Sequence, residues 1–124
     1  MAAFQAAVQE MGLGQQVITF TECEFGRSLQ PSGSGSGSGS DHGWGSHHLV
    51  MGGAVKGGQV YGKIPSLQLG GPDDAGNRSV LIPSTSLDQY GATLARWFGV
   101  GPAEMPTVFP NLGNFALADL GFLG

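Results

Sequence analysis

The chain has 124 residues, 40% of them hydrophobic and only 11% charged, with 23 glycines and a formal net charge of −4. That length allows one domain at most, and much glycine with little charge favours turns and loops over a helical bundle. Scarce Lys and Arg exclude the basic patch of a nucleic-acid binder and a basic amphipathic membrane helix, and no apolar run reaches the length of a membrane span.

The opening, Ala2 to Met11, is expected to be a helix. Ala, Gln and Glu favour it, and Phe4, Val8 and Met11 share a face at spacings of four and three. Gly12 and Gly14 stop it. Gln16 to Thr21 (QVITFT) reads as a short strand buried on both faces. TECEFGR follows at the strand end, the place where open α/β sheets bind ligands, so Glu22, Glu24 and Arg27 are candidates for a site as well as for a plain polar loop.

Ser32 to Ser40 (SGSGSGSGS) is a flexible, low-complexity linker or repeat with no expected chemistry. His48–Met51 and Gln59–Tyr61 are strand candidates around glycine-rich turns. GGAVKGG is not a phosphate-binding loop, because Lys56 is followed by Gly57 where Ser or Thr is required. GGPDDAGN is turn sequence. Asp73, Asp74 and Asn77 are potential calcium ligands, but the twelve-residue EF-hand pattern is missing. Ser79 to Pro83 is a short strand or edge segment.

The best-marked helix is Ser86 to Phe98, with a Ser86/Gln89 capping box, Tyr90, Leu94 and Phe98 every fourth residue, and Leu87 and Trp97 on the same side. Gly99 and Pro102 end it. The tail holds a short helical turn at most, and its apolar residues are expected to pack back onto the body.

The chemistry concentrates in SDHGWGSHH, Ser40 to His48, which holds all three histidines and Asp41. Imidazole and carboxylate are the donors that bind zinc and similar divalent ions at neutral pH. Asp41, His42 and one of His47 or His48 could ligate one ion, since adjacent residues of a strand point opposite ways. A closed site needs a further ligand, for which Glu24 at the strand end is the candidate. The bland alternative is histidines decorating a flexible glycine loop. Arg27 could hold phosphate or sulfate through forked hydrogen bonds. The single cysteine, Cys23, excludes an internal disulfide and a cysteine-rich zinc site. Its neighbours Glu22 and Glu24 disfavour the thiolate, so it is not read as a nucleophile.

In order, the chain reads TFTECEFGR, DHGWGSHH, LVMGGAVKGG, Tyr61-Gly62, GGPDD, STSLDQYGATLARWFGV and VFPNLGNF. This series resembles the C-terminal portion of an uncharacterised bacterial family, usually exported by the twin-arginine route and related to sulfatases and alkaline phosphatases. The resemblance runs from about Ala2 to the end, interrupted by the Ser-Gly repeat.

It implies an α/β fold, the C-terminal part of an alkaline-phosphatase-like sheet with flanking helices, in one partial domain over residues 1–124. Superfamily members attack phosphate or sulfate esters with a metal-bound nucleophile. By resemblance, Glu24 falls near the strand-end acidic ligand, where the usual Asp-His pair reads Glu24-Phe25. Asp41 and His42 match the family's own Asp-His motif, and His47 or His48 the late histidine ligand. Arg27 is the expected substrate-anion residue, and the cofactor a divalent metal, zinc among the candidates.

The strands that carry the early ligand and the nucleophile are not in this sequence. The expectation is a hydrolase fragment inactive alone, completed by an N-terminal half or self-associating through an exposed sheet edge. The competing expectation is a non-catalytic exported binding or structural module with at most a structural metal. Family members are exported, but this sequence opens without the basic leader and apolar stretch of a signal peptide, so expressed as given it is expected in the cytoplasm.

Overall fold

The computed structural model describes residues Met1–Gly124. The chain divides into two compact units: Met1–Phe20 with Val50–Tyr61 and Thr85–Gly124 form unit 1, and Thr21–Leu49 with Gly62–Ser84 form unit 2. The secondary structure is mixed, with three α-helices and two separate two-stranded antiparallel sheets. No helix is long and apolar enough to cross a membrane.

Unit 1 begins with α1 (Ala2–Glu10), as its composition dictates. Of the expected stripe only Val8 is buried, while Phe4 and Met11 lie exposed. Next, β1 (Ile18–Phe20) pairs antiparallel with β4 (Val50–Gly52), placing Thr19 opposite Met51. The strand is shorter than QVITFT suggested, and it is not buried on both faces: Phe20 is exposed. An apolar run cannot distinguish a central strand from one with a single partner. Gly52 and Gly53 permit the close approach here, since a Cβ on Gly52 would lie 2.6 Å from Ile18 Cδ1, and one on Gly53 2.6 Å from the Gly14 carbonyl oxygen. Gln59–Tyr61, expected as a strand, forms none.

Helix α2 (Leu87–Phe98) starts at Ser86 with both capping-box bonds made and ends at Gly99 in the left-handed region, φ 111°. Only Gly reaches that conformation freely. Its buried residues are Gln89, Tyr90, Ala92 and Thr93, so the face is rotated from the expected Tyr90–Leu94–Phe98 stripe, and Phe98 is 84% exposed.

The cause is polar. Gln89 Nε2 donates to the Leu117 carbonyl at 2.6 Å, Thr93 Oγ1 donates to Gln89 O at 2.8 Å, and the Leu120 amide donates to Thr93 Oγ1 at 2.9 Å. The tail docks on this satisfied polar seam. Its α3 (Met105–Val108) and a 3-10 turn (Leu112–Asn114) bring Met105 and Leu112 against Ala92, flanked by Ala95, Val100, Phe109 and Ala118. A second cluster is aromatic: Phe20 meets Tyr90 at 6.2 Å, Tyr90 meets Phe122 at 5.8 Å and Phe122 meets Tyr61 at 5.7 Å. GGAVKGG is a turn held by the tail, with the Lys56 amide on Phe122 O at 2.9 Å.

Unit 2 is built differently. It holds the two-residue strands β2 (Gly26–Arg27) and β3 (His42–Gly43), and a single antiparallel bridge from Asp74 to Leu81. Its buried residues are Gly26, Ser28, Gly43, Gly45 and Ser79; every buried hydrophobic side chain belongs to unit 1. Hydrogen bonds and close backbone packing replace an apolar core.

Candidate functional site

The EFGR and DHGWG motifs meet in unit 2. β2 and β3 pair antiparallel with Gly26 opposite Gly43 and Arg27 opposite His42. Glycine is needed on both sides. A Cβ on Gly26 would run into the Gly45 carbonyl, and one on Gly43 would stand 3.0 Å from the Arg27 carbonyl carbon. Gly45 then donates its amide to Leu81 O at 2.7 Å, where a Cβ would sit 2.6 Å from that same oxygen. Three backbone segments, around residues 26–28, 41–45 and 78–82, thereby approach closely at Gly26, Gly43 and Gly45.

Side chains cluster around this layer. The His42 ring stacks on Phe25 with centroids 3.6 Å apart and planes 10° from parallel. Stacking fixes the plane of the imidazole and leaves its two nitrogens at the edge of the stack. The Arg27 guanidinium lies 5.2 Å from the Phe25 ring centre, and its NH1 donates to Ser40 O at 2.7 Å. Asp41 is tied twice through its backbone: its amide donates to Ser28 Oγ at 3.1 Å, and its carbonyl accepts from the Ser28 amide at 3.0 Å. Its carboxylate pairs with Arg78, whose second nitrogen donates to Pro31 O at 2.8 Å. The Ser-Gly repeat leaves from these contacts and is closed at its feet by the Ser32 amide and hydroxyl on Gly39 O, 2.9 and 3.0 Å.

The neighbouring acidic turn is fully engaged. Asp74 accepts four backbone N–H donors, from Gly70, Gly76, Ser79 and Val80, at 2.8 to 3.0 Å. Desolvation pushes its carboxyl up, but the four donors together outweigh that and hold it well below the usual carboxylate range. The Ser66 amide and then Lys63 lower Asp73 in the same direction. Both carboxylates are committed to protein donors, which favours the turn reading of GGPDDAGN over calcium.

Of the expected site residues, the structure brings Arg27, Asp41 and His42 together. Glu24 and His47 are exposed, and His48 is half-buried. Nowhere do three His, Cys, Asp or Glu side chains gather as a metal would require. The carboxylate of Asp41, next to His42 in sequence, is paired with Arg78. Sequence reasoning missed Phe25, Ser28 and Arg78. Arg78 carried one usable signal, as one of only five Lys and Arg residues in the chain.

Residues 1–81 match a family described as protein of unknown function (DUF1501). The chain belongs to this family. The matched range contains β2, β3 and the acidic turn, and so every side chain of the candidate site just described. No curated protein and no solved structure matches the chain.

Proposed function

We propose that the chain is part of a sulfatase- or phosphatase-like, metal-dependent ester hydrolase with an alkaline-phosphatase-like fold, and that it has no esterase activity alone. Its share of the site is the β2–β3 pair: Arg27 for the substrate anion, Asp41 and His42 as donors to a divalent metal, with Glu24, His47 and His48 as further candidate ligands. The observation that carries this reading is the register that sets Arg27 directly opposite His42. It joins an anion-holding guanidinium to a ligand-type imidazole, each from a motif of the resemblance. When bound, the metal would supply Lewis-acid activation of a nucleophile or of the ester oxygen. Such a site takes ligands beyond those that this chain groups together, hence the expected inactivity.

Zinc titration of the folded chain, beside a single-turnover assay with an activated phosphate or sulfate ester, tests both halves. The expected result is zinc binding that is lost in His42→Ala and kept in Lys56→Ala, with no product above the His42→Ala control. Product above that control refutes the inactivity. A folded chain that binds no zinc refutes the metal role and leaves the second reading, a non-catalytic exported module. The Asp41–Arg78 pair favours that second reading, because it gives Asp41 a structural partner.

A further inference from the structure

From the outward face of α2 we infer that Leu87, Leu94 and Phe98 form a docking surface for a second copy of this chain, paired about a two-fold axis with the two α2 helices antiparallel. This goes beyond the proposed function and involves neither metal nor ester.

Helix α2 is inverted. It turns Gln89, Ala92 and Thr93 inward, where Gln89 Nε2 donates to the tail and Thr93 Oγ1 accepts from it. Leu87, Gly91, Leu94 and Phe98 follow one another at spacings of four, three and four, which places them on one face, away from that seam. Leu87 is 50% exposed, Phe98 84%, and Leu94 is half-buried. Gly91 leaves no gap in the stripe: the Phe109 ring lies against it, so close that a Cβ would stand 2.8 Å from Phe109 Cε1. A continuous apolar stripe left outside marks a contact site.

Two observations select a second copy as the occupant. The stripe carries no charge, since the charged residues of the helix, Asp88 and Arg96, lie off it and Arg96 is paired with Asp119. Complementary charge is how a surface steers and selects a foreign partner, and this face offers none. Two chains of net charge −4, by contrast, meet most easily where neither presents charge. The stripe also matches itself. About a two-fold axis midway along the helix, Leu87 of one copy faces Phe98 of the other, and Leu94 faces the surface made by Gly91 and Phe109. Isologous pairing requires this kind of match, and antiparallel helices bring opposite dipole ends together.

Size sets the strength. The stripe from Leu87 to Phe98 is about 17 Å long. One helix face of that length falls short of the roughly 800 Å² per partner of a standard interface, so the pair is weak and forms at high protein concentration.

Sedimentation equilibrium on the full chain tests this. The mass should rise from monomer toward dimer, and no further, as concentration is raised to about 1 mM. Phe98→Ser and Leu87→Ser should each weaken the association at least fivefold, whereas Leu29→Ser, at a leucine equally exposed in unit 2, should leave it unchanged. Added sodium chloride should not weaken it, because no ion pair holds the interface. Orientation is read by cross-linking in a Cys23→Ser background, which removes the free thiol. A short bis-maleimide should join a Leu87→Cys chain to a Phe98→Cys chain faster than it joins either to itself. If a serine variant loses its helical circular dichroism, the cross-linking arm decides. A chain that stays monomeric at about 1 mM overturns the proposal and leaves a different polypeptide as the occupant. Open-ended aggregation, dissociation by salt, an equal loss in Leu29→Ser, or faster self-linking than cross-linking overturns it as well.

Discussion

Asp74 shows how much of unit 2 rests on single side chains. Its carboxylate gathers four amides from both sides of the GGPDDAGN turn, and Ser79, fully buried with a positive φ of 53°, is held in that conformation beside it. Because the carboxyl lies below its ordinary value of 3.8 in the folded chain, its contribution is complete above that pH and is lost as pH falls below it. Asp74→Asn keeps one acceptor oxygen but no charge. The expected outcome is a lower urea midpoint at pH 7 and a shallower loss of stability between pH 4 and pH 2, measured by urea melts across about that range. An unchanged acid limb would contradict this account. The sequence marked GGPDDAGN as a turn. It could not show that four amides converge on one carboxylate, because that depends on where the chain returns at Ser79 and Val80. The same holds for Arg78, whose partners Pro31 and Asp41 are distant in sequence.

Among the elements, α2 was the most legible. Its cap, its length and its glycine stop follow local rules, and all three are observed. Ser86→Ala removes the bond from the Gln89 amide, and a loss of about 1 kcal/mol in urea unfolding is expected. Which face of α2 is buried was not legible. Periodicity selected the largest apolar side chains, whereas Gln89 and Thr93 are buried because the tail presents Leu117 and Leu120 backbone groups to them. The short strands fail for a related reason. β2 and β3 are two residues each, set by glycine-to-glycine approach, a signal without hydrophobic periodicity. In the candidate site, the motifs marked the two segments that pair as β2 and β3, and Arg27 and His42 face each other across that pair. They could not reveal that Phe25 fixes the plane of His42 or that Asp41 already has a cation.

Taken whole, the chain carries two kinds of stability. Unit 1 has the buried apolar side chains, including Val8, Ala92, Met105, Leu112 and Phe122, while unit 2 relies on Ser28, Ser79 and acidic hydrogen-bond hubs. Regions with few buried apolar contacts open at low free energy. Native-state hydrogen exchange is therefore expected to show unit 2 amides such as Gly45 and Val80 exchanging through an opening that spares Ala92 and Thr93 in α2. Acidification toward pH 3 should widen the gap, since the opened form takes up protons that Asp73 and Asp74 resist while folded. Equal protection in both units at all pH values would show one cooperative block instead.

The missing apolar core of unit 2 also has a calorimetric consequence. Exposing apolar surface on unfolding raises heat capacity, by about 0.45 cal/K/mol per Å², while polar surface lowers it, by about 0.26. Opening unit 2 exposes glycine backbone, serines and ion pairs, so its heat-capacity increment per residue is small and its stability curve shallow. Cooling weakens the hydrophobic contribution that supports unit 1, but it leaves the polar scaffold around Arg27 and Asp41 almost untouched. In this chain, the segment that carries the candidate chemistry is the one least sensitive to cold.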